Sequence, residues 1–167
     1  MSDPQAAWQK WLNSLDMPRK AAAESLRAQF SALGVANSLD LIKSEVMEDL
    51  PQLARFVLLR SLWHGAIDGW TESDSLDQLP AAQRLRAAGA DQEDLVRLVR
   101  AVAYEAVFAT LYELDAGGDV NVSGVQANWV VMESCEGDSP TRRAMSGLHE
   151  DLLSLDPSGR EGADLWQ

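Results

Sequence analysis

The chain has 167 residues, with 14 Lys and Arg against 26 Asp and Glu, and a formal net charge of −12 when both histidines are neutral. Its length suits one helical domain over residues 1–167, since domains most often run about 100–150 residues. The acidic excess disfavours nucleic acids and anionic membranes as partners, and the single cysteine, Cys135, excludes an intramolecular disulfide and a cysteine zinc site.

Helix signals follow one another from the N-terminus. Asp3 can cap a helix that begins at Pro4, because proline is tolerated at the first helical position. A second helix is predicted over about 18–33 and ends at Gly34, which can adopt a positive φ. Ser38 is expected to cap a short third helix. The first two helices predict a helical hairpin, because the link between them is short.

Two longer helices follow. The first, over about 50–70, begins near Pro51 and is apolar almost all round in its first half, which predicts a central helix. After a polar loop at 71–77 and a short helix at 80–88, Asp91 caps the longest helix, over about 92–114. The residues expected to face the core from this longest helix are Leu95, Leu98, Val99, Val102, Ala106 and Ala109.

The pattern changes near residue 120. Valines at 120–125 and a run rich in β-formers predict a small hairpin whose second strand covers about 128–134. Ser139 and Pro140 then predict a last helix that ends near Asp156, followed by an ordered turn or loose coil in a tail at about 158–167. The fold class is therefore mainly α (α+β), with six or seven helices around the central apolar helix and one small antiparallel hairpin near the C-terminus.

Arg60, His64 and Asp68 lie at positions i, i+4 and i+8 of the predicted central helix. On a helix this spacing forms a column that drifts slowly around the surface. An arginine, a histidine and a carboxylate in one column, next to Trp63, fit proton transfer or anion binding. The same spacing is also typical of a solvated helix face with routine charge pairs.

Glu105 lies in an otherwise uncharged run, at the edge of the apolar stripe. A carboxylate buried there needs a partner, and Arg60 is the expected partner in a structural ion pair. The alternative is a functional carboxylate, because perturbed groups cluster at active sites. Glu105 therefore joins His64 and Asp68 as a catalytic candidate, while Arg60, His64, Asp68 and the aromatic Trp129 are the binding candidates.

The motifs of cofactor and metal chemistry are absent. Neither a phosphate-binding glycine loop nor a nucleophile elbow is present, and His149 lacks the second histidine of a zinc protease four residues on. Cys135 is expected to be an inert thiol, because the neighbouring Glu136 and Asp138 disfavour a thiolate. The sequence predicts neither a metal nor a cofactor, and it favours a protein without enzymatic activity.

No basic, apolar signal segment begins the chain, and no apolar run approaches the about 20 residues of a membrane span, so we expect a cytoplasmic protein. Our first hypothesis is an acidic interaction module that binds a protein partner, plausibly a basic one, as immunity proteins and secretion chaperones do. The alternative is a small enzyme or ligand-binding domain whose helical cleft is lined by Arg60, His64, Asp68 and Glu105. A homodimer that pairs apolar helix faces is a third hypothesis.

Overall fold

The computed structural model describes residues 3–72, 74–118, 127–135 and 139–166. The fold is mainly helical, with one small antiparallel hairpin near the C-terminus, as predicted. None of the helices among the described residues combines the length and the apolar character that a membrane crossing requires. The α-helices are α1 (Pro4–Leu12), α2 (Met17–Ala32), α3 (Leu39–Glu48), α4 (Gln52–Leu62), α5 (Pro80–Ala87), α6 (Gln92–Ala116), α7 (Leu148–Asp151) and α8 (Ala163–Trp166), and the strands are β1 (Val131–Ser134) and β2 (Pro140–Met145).

The starts of α1 and α6 follow the predicted caps, whereas the Ser38 side chain makes no capping hydrogen bond at the start of α3. The Asp3 carboxylate accepts a hydrogen bond from the backbone N–H of Gln5, and Asp91 accepts from the second and third residues of α6. These bonds satisfy N–H groups that the first turn of a helix cannot pair internally. Gly34 adopts the predicted positive φ, of 82°.

The helix predicted over about 50–70 is interrupted. α4 ends at Leu62, and a π-helical segment, Trp63–Ile67, and a 3₁₀ turn, Asp68–Thr71, complete the span. Gly65 and Gly69 lie in these two segments and have a low helix propensity. Because the winding changes at Trp63, the regular wheel that aligned Arg60, His64 and Asp68 no longer applies.

The last predicted helix is wrong over its first half. Residues Pro140–Met145 form β2, which pairs with β1, and only Leu148–Asp151 is helical beyond it. The Thr141 hydroxyl donates to the Glu133 backbone carbonyl at 3.2 Å, a cross-strand bond that local sequence signals cannot reveal. The predicted second strand is observed as β1, while its expected partner at 120–125 lies outside the described residues.

The chain divides into two compact units, and the expectation of a single domain stays a prediction. One unit comprises Met1–Arg55 with Met132–Met145, and the other comprises Phe56–Val131 with Ser146–Gln167. In the first unit, Arg143 lies 2.7 Å from Glu45, whose side chain is almost fully buried. The buried apolar residues of the first unit are Trp8, Leu12, Ala23, Phe30 and Ile42.

In the second unit, α6 packs against α7, α8, the π-helical segment and the 3₁₀ turn. Trp63 is fully buried, and its indole N–H donates to the Leu152 carbonyl at 2.7 Å. The segment expected to be a turn or loose coil contains α8, where Leu165 is buried. The chain reaches α8 through a loop in which the buried Asp156 carboxylate accepts bonds from the backbone N–H groups of Ser158 and Gly162.

Candidate functional site

One side of α6 carries exposed apolar residues, with Glu105 and Glu113 among them. Leu98 and Val102 retain 59% and 60% of their accessible surface, and Ala106 and Ala109 are exposed as well. These four residues were predicted to face the core, and that prediction is wrong, whereas the prediction for Leu95, which is buried, is confirmed. The exposed apolar side has no covering element in the part of the chain that the structure describes.

The opposite side of α6 is buried, and its buried residues include a charged side chain. Arg100, Tyr104 and Leu111 face the interior, and Arg100 lies about 200° around the helix from Leu98. A charged residue occupies an inward position because it has buried partners there. α6 is therefore apolar on two sides, and hydrophobic periodicity alone could not decide which side is inside.

Arg100 binds two carboxylates that come from distant segments. Its two terminal nitrogens lie 2.6 Å from Asp68 and 2.6 Å from Asp164, and its side chain is 11% exposed. Burial alone would raise the pKa of Asp164, but the hydrogen bond and positive charge of Arg100 outweigh burial and hold that pKa below its usual value. The cluster joins α6 to the 3₁₀ turn and to α8, so it fixes which side of α6 faces inward.

An apolar groove lies beside the exposed side of α6. It has a volume of about 370 Å³ and is formed between the end of α4 and the C-terminal half of α6. Together with the exposed side of α6, this groove constitutes what we call the α4–α6 face. The groove is lined by Leu58, Leu62, Ala106, Val107, Thr110, Leu111 and Leu114.

Trp129 adds an aromatic ring near the end of α6. Its indole N–H donates to the Glu113 carbonyl at 2.9 Å, and 40% of the residue is exposed. The neighbouring Val130 is 55% exposed. Tryptophan is enriched among the residues that contribute most to protein interfaces, so this position suits a contact with a partner.

The charges of this half of α6 are all acidic. Between residues 101 and 118 the charged residues are Glu105, Glu113 and Asp115. Glu105 and Glu113 are exposed, whereas Asp115 is turned toward α7. Burial raises the pKa of Tyr104, and the negative charge of Glu105 adds to that shift. The α4–α6 face therefore combines an apolar surface with negative charge.

Asp115 and His149 form a pair that sequence reasoning missed. The His149 Nδ1 lies 2.6 Å from the Asp115 carboxylate, which also accepts from the His149 backbone N–H at 3.0 Å. The imidazole ring stands edge-on to Phe108 and Tyr112. Because 34 residues separate the two partners, no local signal could have identified them. The pair fastens α7 to the end of α6.

A polar cavity of about 620 Å³ lies near the start of α6. Arg86, Arg97 and Arg100 line it, together with acids that include Glu72 and Glu93. Each of the three arginines already has an aspartate partner. Positive and negative groups in the cavity are thus balanced. The cavity therefore lacks the excess of positive charge that recognition of an anion requires.

One member of the predicted site pairs with a residue outside it. Asp68 pairs with Arg100, Arg60 is half-buried, and His64 is exposed. Glu105 is also exposed, so the expectation that its carboxylate is buried is wrong. Among the described residues, His, Cys, Asp and Glu side chains form no group of three that fits a metal ion.

No family model matches the chain, and neither the curated proteins nor the solved structures include a significant match to it.

Proposed function

We propose that the chain is a non-enzymatic protein-binding module of the cytoplasm, and that the α4–α6 face is its docking surface. The single observation that supports this most strongly is the exposure of Leu98 and Val102, one turn apart on the same side of α6. Contiguous exposed apolar surface is rare on proteins that act alone, and it marks interaction sites. Isolated exposed apolar residues are common, but here they adjoin a groove of the same character.

Covering the exposed apolar side chains of this surface would stabilise a complex. Full burial of a leucine or valine side chain contributes about 1.5–3 kcal/mol, so covering the exposed part of Leu98 or Val102 contributes about 1–2 kcal/mol each. The groove and the half-exposed Trp129 enlarge the area that a partner removes from water. This surface therefore offers the apolar centre of a protein interface, with Glu105 and Glu113 as polar neighbours.

A small-ligand-binding domain is the second candidate, supported by the polar cavity of about 620 Å³. Asp68 is linked to that cavity through Arg100, whereas His64 and Glu105 are exposed. The candidate ranks second because the arginines of the cavity are paired within the chain. A small ligand there would bind equally to the wild type and to variants of the α4–α6 face.

The experiment compares two leucines under the same substitution. Leu98 is 59% exposed in the α4–α6 face, and Leu85 is 48% exposed in α5, outside it. Leu98→Gln and Leu85→Gln keep good helix propensity and add no charge. Tagged wild type and both variants are expressed in the source cell, and co-purified proteins are quantified by mass spectrometry.

We expect one protein to co-purify with the wild type and with Leu85→Gln, and to be depleted with Leu98→Gln. A loss of about 1–2 kcal/mol corresponds to an affinity about five- to thirtyfold lower. Equal unfolding curves for the three proteins would show that the variants remain folded. Recovery of the same partner with all three would contradict the proposed surface, and a partner lost with Leu85→Gln alone would place the surface elsewhere.

A further inference from the structure

We infer that the occupant of the α4–α6 face is an amphipathic helix of another protein, which carries Lys or Arg beside its apolar stripe. The inference rests on the proposed function and names the partner's chemistry. It follows from the shape of the face, the state of its backbone groups and the sign of its charges.

The shape of the face suits a helix. From Leu98 to Glu113 the exposed side follows α6 for roughly 22 Å, at 1.5 Å per residue. Ala106 and Ala109 are short side chains in the middle of that length, so a second helix axis can approach closely. The end of α4, with Leu58 and Leu62, forms the second wall of the groove. An exposed apolar helix side next to an apolar groove is the kind of surface to which an amphipathic helix binds.

The backbone groups of the face are already paired within their helices, so a partner can be recognised only through side chains. Residues 98–112 lie inside α6, and Leu58 lies inside α4, where N–H and C=O groups pair within the helix. An added strand would need free backbone donors and acceptors at a sheet edge, as in recognition by strand addition. A helix satisfies its own backbone and presents only side chains, so it matches what this face offers.

The charges select a basic helix. Glu105 and Glu113 are exposed and eight residues apart, about two helical turns. No Lys or Arg lies between Arg100 and residue 118 to balance them, and Arg100 is buried. A partner helix with basic residues about two turns apart would therefore meet both acids, and the net charge of −12 would also speed the encounter.

The same charges disfavour a second copy of the chain as the occupant. Glu105 lies at the middle of the stretch from Leu98 to Tyr112. Two copies paired symmetrically about this point would place the two Glu105 carboxylates beside each other, whether the helices run parallel or antiparallel. Like charges in contact across an interface oppose association, and each copy brings a net charge of −12.

The test uses a display library of amphipathic helices about 18 residues long, which span the face at 1.5 Å per residue. Their apolar stripes vary among Leu, Ile, Val, Met and Ala, and their flanking positions vary among Lys, Glu and Gln. The full-length chain is the target, and selected peptides are measured by fluorescence anisotropy at low and high salt.

The charge control is a matched pair of substitutions. Glu105→Gln removes an acid from the face, and Glu24→Gln removes one from an exposed position of α2, so both variants have the same net charge. We expect Lys to be enriched over Glu at the flanking positions. Glu105→Gln should lower the affinity of the selected peptides about two- to fivefold, the range of exposed ion pairs, while Glu24→Gln leaves it unchanged.

The outcomes separate the two proposals. Selected peptides that lose affinity with Leu98→Gln but carry no excess of Lys would overturn the basic helix and leave the docking surface standing. Peptides that ignore Leu98→Gln would overturn both. If no peptide is enriched, the helix inference is wrong. Sedimentation that shows a dimer, abolished by Leu98→Gln, would instead identify a second copy as the occupant.

Discussion

Replacing Arg100 with leucine should destabilise the second unit strongly. The substitution keeps an apolar stem on the inward side of α6 but removes the guanidinium that lies 2.6 Å from both Asp68 and Asp164. Two carboxylates, with side chains 28% and 19% exposed, are then left without their shared partner. The cost arises from these stranded charges, since leucine fills much of the same space.

The magnitude follows from the burial of the cluster. Breaking a buried ion pair costs about 3–5 kcal/mol. Because Asp68 and Asp164 retain some contact with water, and Arg160 still lies 3.0 Å from Asp164, we expect about 2–4 kcal/mol. That is a large part of the about 5–15 kcal/mol by which a typical native protein is stable. Adding Asp68→Asn and Asp164→Asn should restore part of the loss, since the stranded charges are removed.

Urea unfolding followed by circular dichroism measures this effect, with Arg97→Leu as the control. Arg97 lies one turn earlier in α6, is 42% exposed and pairs with Asp94 at 3.5 Å, so its loss should cost less than about 1 kcal/mol. Equal midpoints for Arg100→Leu and Arg97→Leu would refute the assigned role of the cluster.

The pH dependence supplies a second check. Because Arg100 holds the pKa of Asp164 below its unfolded-state value, the pair stabilises the protein above that value and the contribution is lost as the pH falls through the folded-state pKa. The stability gap between wild type and Arg100→Leu should therefore be full at neutral pH and narrow below about pH 4. A gap that widens on acidification would contradict this reasoning.

Two other substitutions test the packing of each unit, again by urea unfolding. Gly162 and Gly159 have φ values of 68° and 69°, but a Cβ at Gly162 would lie 2.9 Å from Leu153, whereas a Cβ at Gly159 meets nothing within 4 Å. Both alanine variants incur the cost of a positive φ, about 1 kcal/mol. Gly162→Ala should be destabilised only slightly more, because the overlapping atom is a terminal methyl of Leu153, which is 36% exposed and can move aside; an additional loss of about 1–3 kcal/mol, as in an overpacked core, would contradict this expectation. In the first unit, Arg143→Leu strands the buried Glu45 carboxylate and should cost about 3 kcal/mol, which Glu45→Gln in the same chain should partly restore; no recovery would argue against a stranded charge.

Helix boundaries were predictable because their causes are local. Asp3 and Asp91 accept hydrogen bonds from N–H groups two or three residues away, and Gly34 adopts its positive φ directly after α2. Such signals need no knowledge of distant contacts. They located α1, α2, α5 and α6 closely and predicted the helical class of the fold.

Contacts between distant residues determined the structural features that the local sequence pattern did not predict. Arg100 faces inward because of Asp68, 32 residues away, and Asp164, 64 residues away. Residues 140–145 carry helix-start signals but form a strand that pairs with β1. The apolar stripe of α6 was recognised correctly as apolar, yet its four exposed members were assigned to the core. That error points to the candidate site, because the buried centre of a protein interface is enriched in apolar side chains, as a protein core is.

Cysteine labelling in the source cell reports directly on whether a partner covers the α4–α6 face. Val102→Cys and Leu85→Cys would each be introduced with Cys135→Ser, since Cys135 is exposed, and labelled with a cell-permeable maleimide. Both positions should react rapidly in the purified protein, because Val102 and Leu85 are 60% and 48% exposed. In the cell, position 102 should be protected while position 85 reacts as before. Equal labelling of position 102 in the cell and in the purified protein would contradict a docking surface on α6.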